Sequence, residues 1–141
     1  MMIEERVFIM EKFSEIKYVR PDMDAFSKEV RTFVDAFPKA ENYAQARSLF
    51  MNLNDSRKKL DTMNTVADIR NTVDTADTFY EQEIEFFNAA IPNAELELKK
   101  ANELLLASPY IEDFQNEFGE LYIRNIKNQI RFANENNVDN Q

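Results

Sequence analysis

Residues 49–87 read LFMNLNDSRKKLDTMNTVADIRNTVDTADTFYEQEIEFF, and this stretch decides the fold. It holds no Pro and no Gly. Apolar residues recur through it at intervals of three and four, the period of an amphipathic helix. In its middle lies a polar string, IRNTVDTADTFYEQE (residues 69–83), where an apolar stripe would otherwise continue. The spacing predicts two long helices meeting within that string.

Working outward, the stripe before the string contains Tyr43, Ala46, Leu49, Phe50, Leu53, Leu60, Met63 and Ala67, followed by Arg70 and Asp74. It predicts a helix from about 41 to 74. Its near-heptad spacing favours antiparallel packing on a neighbour. After the string, Tyr80, Ile84, Phe87, Ile91, Ala94, Leu98, Ala101 and Leu105 predict a second helix over about 77–106, so that the two form a long hairpin. Pro92 falls inside it, and an interior Pro removes a backbone donor and crowds the preceding turn. A kink or break is expected between Ala89 and Asn93.

Upstream, Met23, Phe26, Val30, Phe33, Val34 and Phe37 form the stripe of a helix that starts near Pro21 or Asp22 and stops at Pro38. Residues 1–20 read as a lead-in, with VFIM (7–10) a short strand or helical turn and 17–20 extended. Downstream, Ser108-Pro109 reads as an N-cap followed by a first-turn Pro. The helix it opens should end before Gly119, the sole glycine. A last helix, about 120–134, places Tyr122 or Ile123, Ile126, Ile130 and Ala133 inward. Residues 135–141 form a polar tail that should fray. The expectation is an all-α fold of four to five mostly antiparallel helices, forming a single helical domain over residues 21–134.

Composition agrees and narrows the function. A chain of 141 residues with one Gly and four Pro lacks the turn residues of β architectures. The net charge of -9 argues against nucleic acid, which needs clustered Lys and Arg, and against an anionic membrane surface. No apolar run approaches the length of a membrane span. The absence of Cys suits a reducing cytoplasm.

With no His and no Cys, the chain cannot form a His/Cys zinc site or the usual nucleophile–His pairs. One Gly cannot make a phosphate loop or a dinucleotide fingerprint. No catalytic, cofactor-binding or metal-ligating residue is therefore assigned. Glu81, Glu83 and Glu85 invite a two-carboxylate reading, but such a run is expected to be a solvated helix surface, with Glu83 pointing away from the other two. Phe79, Tyr80, Phe86 and Phe87 are expected in the core or on a contact surface. Arg70 and Asp74, at i,i+4, either form a partly buried ion pair at the helix junction, with Asp77, or face something outside the chain. Arg70, Asp74, Asp77 and Tyr80 are thus the candidate inter-helix or interdomain contacts.

These residues carry a resemblance. TVADIRNTVDTADTFYEQEIEFFNAAIP (65–92) resembles the N-terminal helical region of oligoendopeptidase F-like zinc metallopeptidases, relatives of thimet oligopeptidase. YVRPDMDAFSKEVRTFVDAF (18–37) is similar to that family's opening helix, and ASPYIEDFQNEFGELYIRN (107–125) to a later segment. The resemblance implies a parent enzyme that cleaves oligopeptides with zinc in a larger C-terminal catalytic domain bearing HExxH. It implies that the N-terminal helices help to wall the substrate channel. This chain holds no HExxH, so nothing catalytic carries over and no cofactor is expected in it. The expected partner is the missing C-terminal catalytic domain. Without it, bare apolar helix faces would favour a homodimer. The second reading is a stand-alone helical protein–protein interaction module.

Overall fold

The computed structural model describes residues 15–73, 76 and 78–139. Among them the fold is all-α, with no strand. Residues 7–10 of the lead-in, and Asp74 and Asp77 at the helix junction, lie outside the described residues.

Helix α1 spans Met23–Ala36. The Asp22 carboxylate caps it, accepting from the Asp24 and Ala25 amides at 3.1 Å each. Pro38 stops it, and Phe37–Lys39 tighten into a single 3-10 turn. Helix α2 spans Tyr43–Val73. Asn42 Oδ1 accepts the Gln45 amide at 2.9 Å and sets its start. Helix α3, Thr78–Leu106, returns alongside α2 and completes the hairpin.

Three expectations need correction. First, α3 is continuous through Pro92, so the break allowed for at 89–93 does not occur. One missing backbone bond is a local defect, and packing along the rest of a 29-residue helix outweighs it. The Asn93 side chain also donates to the Ala89 carbonyl at 3.4 Å, just ahead of the gap. Second, α4 begins at Ile111 rather than Pro109. The buried Ser108 hydroxyl accepts the Tyr110 amide at 3.0 Å and so completes a turn before the helix proper. Third, α5 runs over Glu120–Asp139, past the expected end near 134.

Gly119 alone separates α4 from α5. Its φ of 97° and ψ of 157° lie in a region open essentially to glycine. Its amide still closes α4, donating to the Gln115 carbonyl at 2.8 Å.

Helix α3 is the common partner of the fold. Helices α1, α2 and α5 each pack on it, and α4 packs on α5. Phe87, Phe114, Ile126 and Val66 are fully buried, each contributing roughly 1.5–3 kcal/mol. Phe114 of α4 is an aromatic hub, with ring centroids 5.0 Å from Tyr43 and 5.3 Å from Phe50.

Candidate functional site at the strap and hairpin junction

Residues 17–22, just before α1, have no regular secondary structure, yet they are tied down. Residues 16–22 form a strap across the end of the α2–α3 hairpin, where the polar string lies. The extended conformation follows locally from Pro21, which disfavours helix at Arg20.

Glu83 holds the centre of this site. Its side chain is 4% exposed, although the carboxylate run around it was expected to be solvated. Oε1 accepts the Tyr18 hydroxyl at 2.7 Å and Arg20 Nε at 3.0 Å, and Oε2 accepts Arg20 Nη2. A buried carboxylate persists only with such partners. The Arg20 fork holds its carboxyl below the ordinary range, against the opposing effect of burial, and the Tyr18 bond adds to the lowering. Burial, then the bond to Glu83, raises the Tyr18 phenol. The Arg20 guanidinium also lies 4.6 Å from the Phe86 ring centroid, in cation–π contact.

Arg70 is the second anchor. Nη1 donates to the Tyr80 hydroxyl at 3.0 Å and Nη2 donates to the Ile16 carbonyl. Tyr18, Phe79 and Tyr80 pack edge to face between the anchors, with centroids 4.9–6.0 Å apart. The structure thus brings Arg70 and Tyr80 together with the strap. The residues that sequence reasoning missed are Tyr18, Arg20 and Glu83. The spacing Tyr80, Glu83, Phe87, Ala94 puts Glu83 on the inward stripe, and that was the available signal.

Beside the strap, a groove of about 450 Å³ opens toward α1 and α2, with Val19, Phe26, Leu60 and Met63 among its lining. The Val19 amide donates to Met63 Sδ at 3.4 Å along this edge. The arrangement has one buried anion, Glu83, held by the Arg20 guanidinium and the Tyr18 hydroxyl, and a second anchoring cation, Arg70. Among the described residues no group of His, Cys, Asp or Glu could hold a metal ion. The donor set does not fit a catalytic zinc, whose imidazole ligands the sequence lacks. No helix among the described residues is long and apolar enough to cross a membrane.

Residues 13–133 match the peptidase M3 N-terminal domain family. The chain belongs to that family. Pz peptidase A, solved with an inhibitor, is similar at 26% identity and a TM-score of 0.77 over 84% of this chain. A structure assigned as oligoendopeptidase F is similar at 27% identity, with the same TM-score and coverage. Another so assigned, from Bacillus anthracis strain Ames, shares the fold with a TM-score of 0.78 over 83% of the chain, at 23% identity. This M3 N-terminal domain spans only 21–22% of the length of those three proteins. No curated sequence matches it significantly.

Proposed function

We propose that the chain is the non-catalytic N-terminal domain of an oligoendopeptidase F-like zinc metallopeptidase, and that it helps to wall the channel through which oligopeptides reach the zinc. The observation that carries this is the family match over residues 13–133, in a fold that corresponds to about a fifth of much longer peptidases. The zinc, with its HExxH helix, is assigned to a C-terminal catalytic domain of the parent, which is also the partner. The exposed apolar side chains Val73 and Phe79, either side of the hairpin tip, are the surface this reading gives to that partner.

The strap suits the same role. A wall must keep its shape while peptides pass, and Glu83 with Arg70 fixes the extended segment without a disulfide. The test is an assay of the pure chain with a short fluorogenic peptide and added zinc. No turnover is expected. Chelator-sensitive hydrolysis by the 141-residue chain would overturn the non-catalytic assignment. For the channel role, the DNA downstream of codon 141 should continue in frame into an HExxH segment. A stop codon there would favour the stand-alone interaction module.

A further inference from the structure

The groove of about 450 Å³ beside the strap has a direction. Met63 meets the strap at Val19, so Ser56 lies at the far end of the α2 wall. Asp22 ends the strap, so Glu29 lies at the far end of the α1 wall. Seven residues of helix on either wall make about 10 Å of length. Lys17 stands at the near end, Lys59 midway and Glu29 at the far end. Arg20 and Asp22 at the near end are already engaged, with Glu83 and with the first α1 amides. Among the described residues, Lys17, Lys59 and Glu29 make no ion pair.

The strap offers a backbone pair along one side. In an extended segment the N–H and C=O of a residue point to the same edge. Val19 turns that edge toward α2, because its amide donates to Met63 Sδ at 3.4 Å. A thioether is a weak acceptor. The Val19 carbonyl makes no hydrogen bond among the described residues. A peptide strand in the groove would offer the amide a carbonyl in place of sulfur and donate its own N–H to the Val19 carbonyl. That exchange is how a strand adds to a free edge.

Side chains complete the match. Tyr18 and Arg20 turn to Glu83, and alternation sends Lys17 and Val19 to the opposite face of the strap. Val19 is 59% exposed there, while Phe26 and Leu60 supply an apolar floor. Met63, unbranched and polarizable, adapts to what lies on it. A plain anion would use the lysines and be opposed by Glu29. A hydrocarbon chain would use the floor and leave the backbone pair idle.

We propose that this groove binds a short peptide with both termini free, extended and about three residues long at 3.3 Å per residue. Its carboxylate lies at Lys17, its ammonium at Glu29 and one of its residues pairs with Val19. This rests on the reading above only for the source of such peptides. Binding is read on this chain without hydrolysis, so the two fail separately.

The test titrates the isotope-labelled 141-residue protein by NMR with Ala-Leu-Ala, with N-acetyl-Ala-Leu-Ala and with Ala-Leu-Ala amide. The free tripeptide should give saturable shifts at the Val19 amide and the Met63 methyl. Each capped peptide should bind about fivefold more weakly, the upper range for one exposed ion pair. Lys17→Gln should weaken the free tripeptide by a similar factor and leave the amide unaffected. Glu29→Gln should weaken it likewise and leave the acetylated peptide unaffected. Both positions are exposed, so melting midpoints should not move. If a variant melts early, the capped peptides on the wild type decide alone. Absence of saturable shifts at Val19 and Met63, capped peptides binding as well as the free one, or normal binding by both folded variants would each overturn the proposal. Val19 shifts that depend on protein concentration without peptide would assign the groove to a second copy and overturn it too.

Discussion

The molecule builds the same constellation twice. At the strap, Glu83 accepts from a Tyr hydroxyl and an Arg guanidinium. At the other end of the hairpin, Glu117 of α4 accepts the Tyr43 hydroxyl at 2.5 Å and Arg47 Nε at 2.7–2.8 Å. The partners are identical in kind, yet two things differ. Arg20 meets the two oxygens of Glu83 with two nitrogens, whereas Arg47 shares one nitrogen between both oxygens of Glu117. The Glu83 side chain is 4% exposed and that of Glu117 is 33% exposed. A fork-to-fork pair taken out of water depends on every bond it makes, while an exposed one exchanges its bonds with solvent at small net cost. The residue triplet alone therefore says little about importance. Burial and geometry decide it.

The widest separation between the two ends should come from truncating the anions. Glu83→Ala leaves Tyr18 and Arg20 without their acceptor at a buried position and should cost about 2 kcal/mol, tempered because Arg20 can rehydrate. Urea unfolding would read this as a lower midpoint. Glu117→Ala should leave the midpoint almost where it was. Equal losses would mean that burial does not distinguish the two ends.

Acidification gives a smaller, graded contrast. Both carboxyls sit below the ordinary Glu range, Glu83 chiefly through Arg20, and Glu117 chiefly through the Tyr43 hydroxyl and then Arg47. A depressed folded-state value means stability present above the unfolded value, near 4.3, and lost as pH falls through the folded one. The urea midpoint should therefore fall below about pH 4, and Glu83→Gln should flatten that fall more than Glu117→Gln. Glu95 acts in the opposite sense. Its raised value means a contribution present below the ordinary range and lost as pH rises.

Charge-conserving changes should be smaller again. Arg20→Lys gives up the second nitrogen and the stacking on Phe86, so its midpoint should drop visibly. Arg47→Lys, already a one-nitrogen contact, should be close to silent. The least effect is expected for Tyr43→Phe at neutral pH. That phenol, pushed up to about 12 by burial and then by its bond to Glu117, keeps its proton throughout the neutral range. In the wild type its contribution is present below the ordinary Tyr value and lost as pH rises through about 12. An alkaline unfolding series should show the wild type losing midpoint between about pH 10 and about 12 while the variant does not, so that any gap between them at neutral pH closes there.

Much of the helical framework was legible because the stripes are long and periodic. Phe26, Val30, Phe33, Phe50, Leu60, Phe87 and Leu98 all lie where the spacing put them. Glu83 was not recognised because a run of acids is ordinarily a solvated face. Only the distant Tyr18 and Arg20, supplied by the tertiary fold, make its burial tolerable. Val66, fully buried, was passed over because it sits beside Ala67 rather than on the counted stripe.

The single-residue joint at Gly119 has a mechanical side. Helix α5 is a rod of 20 residues, about 30 Å long at 1.5 Å per residue. It pivots at one end on one pair of torsions. A turn of about 10° at that pivot would sweep the far end of such a rod by about 5 Å. A methyl group at the pivot would meet no atom within 4 Å, so an alanine there would resist the torsions without colliding with anything. Position 119 is thus a fulcrum with a long lever arm. Whatever aligns α5 along α3 is working against that leverage, with Ile123, Ile126 and Ala133 as the clasps along its length.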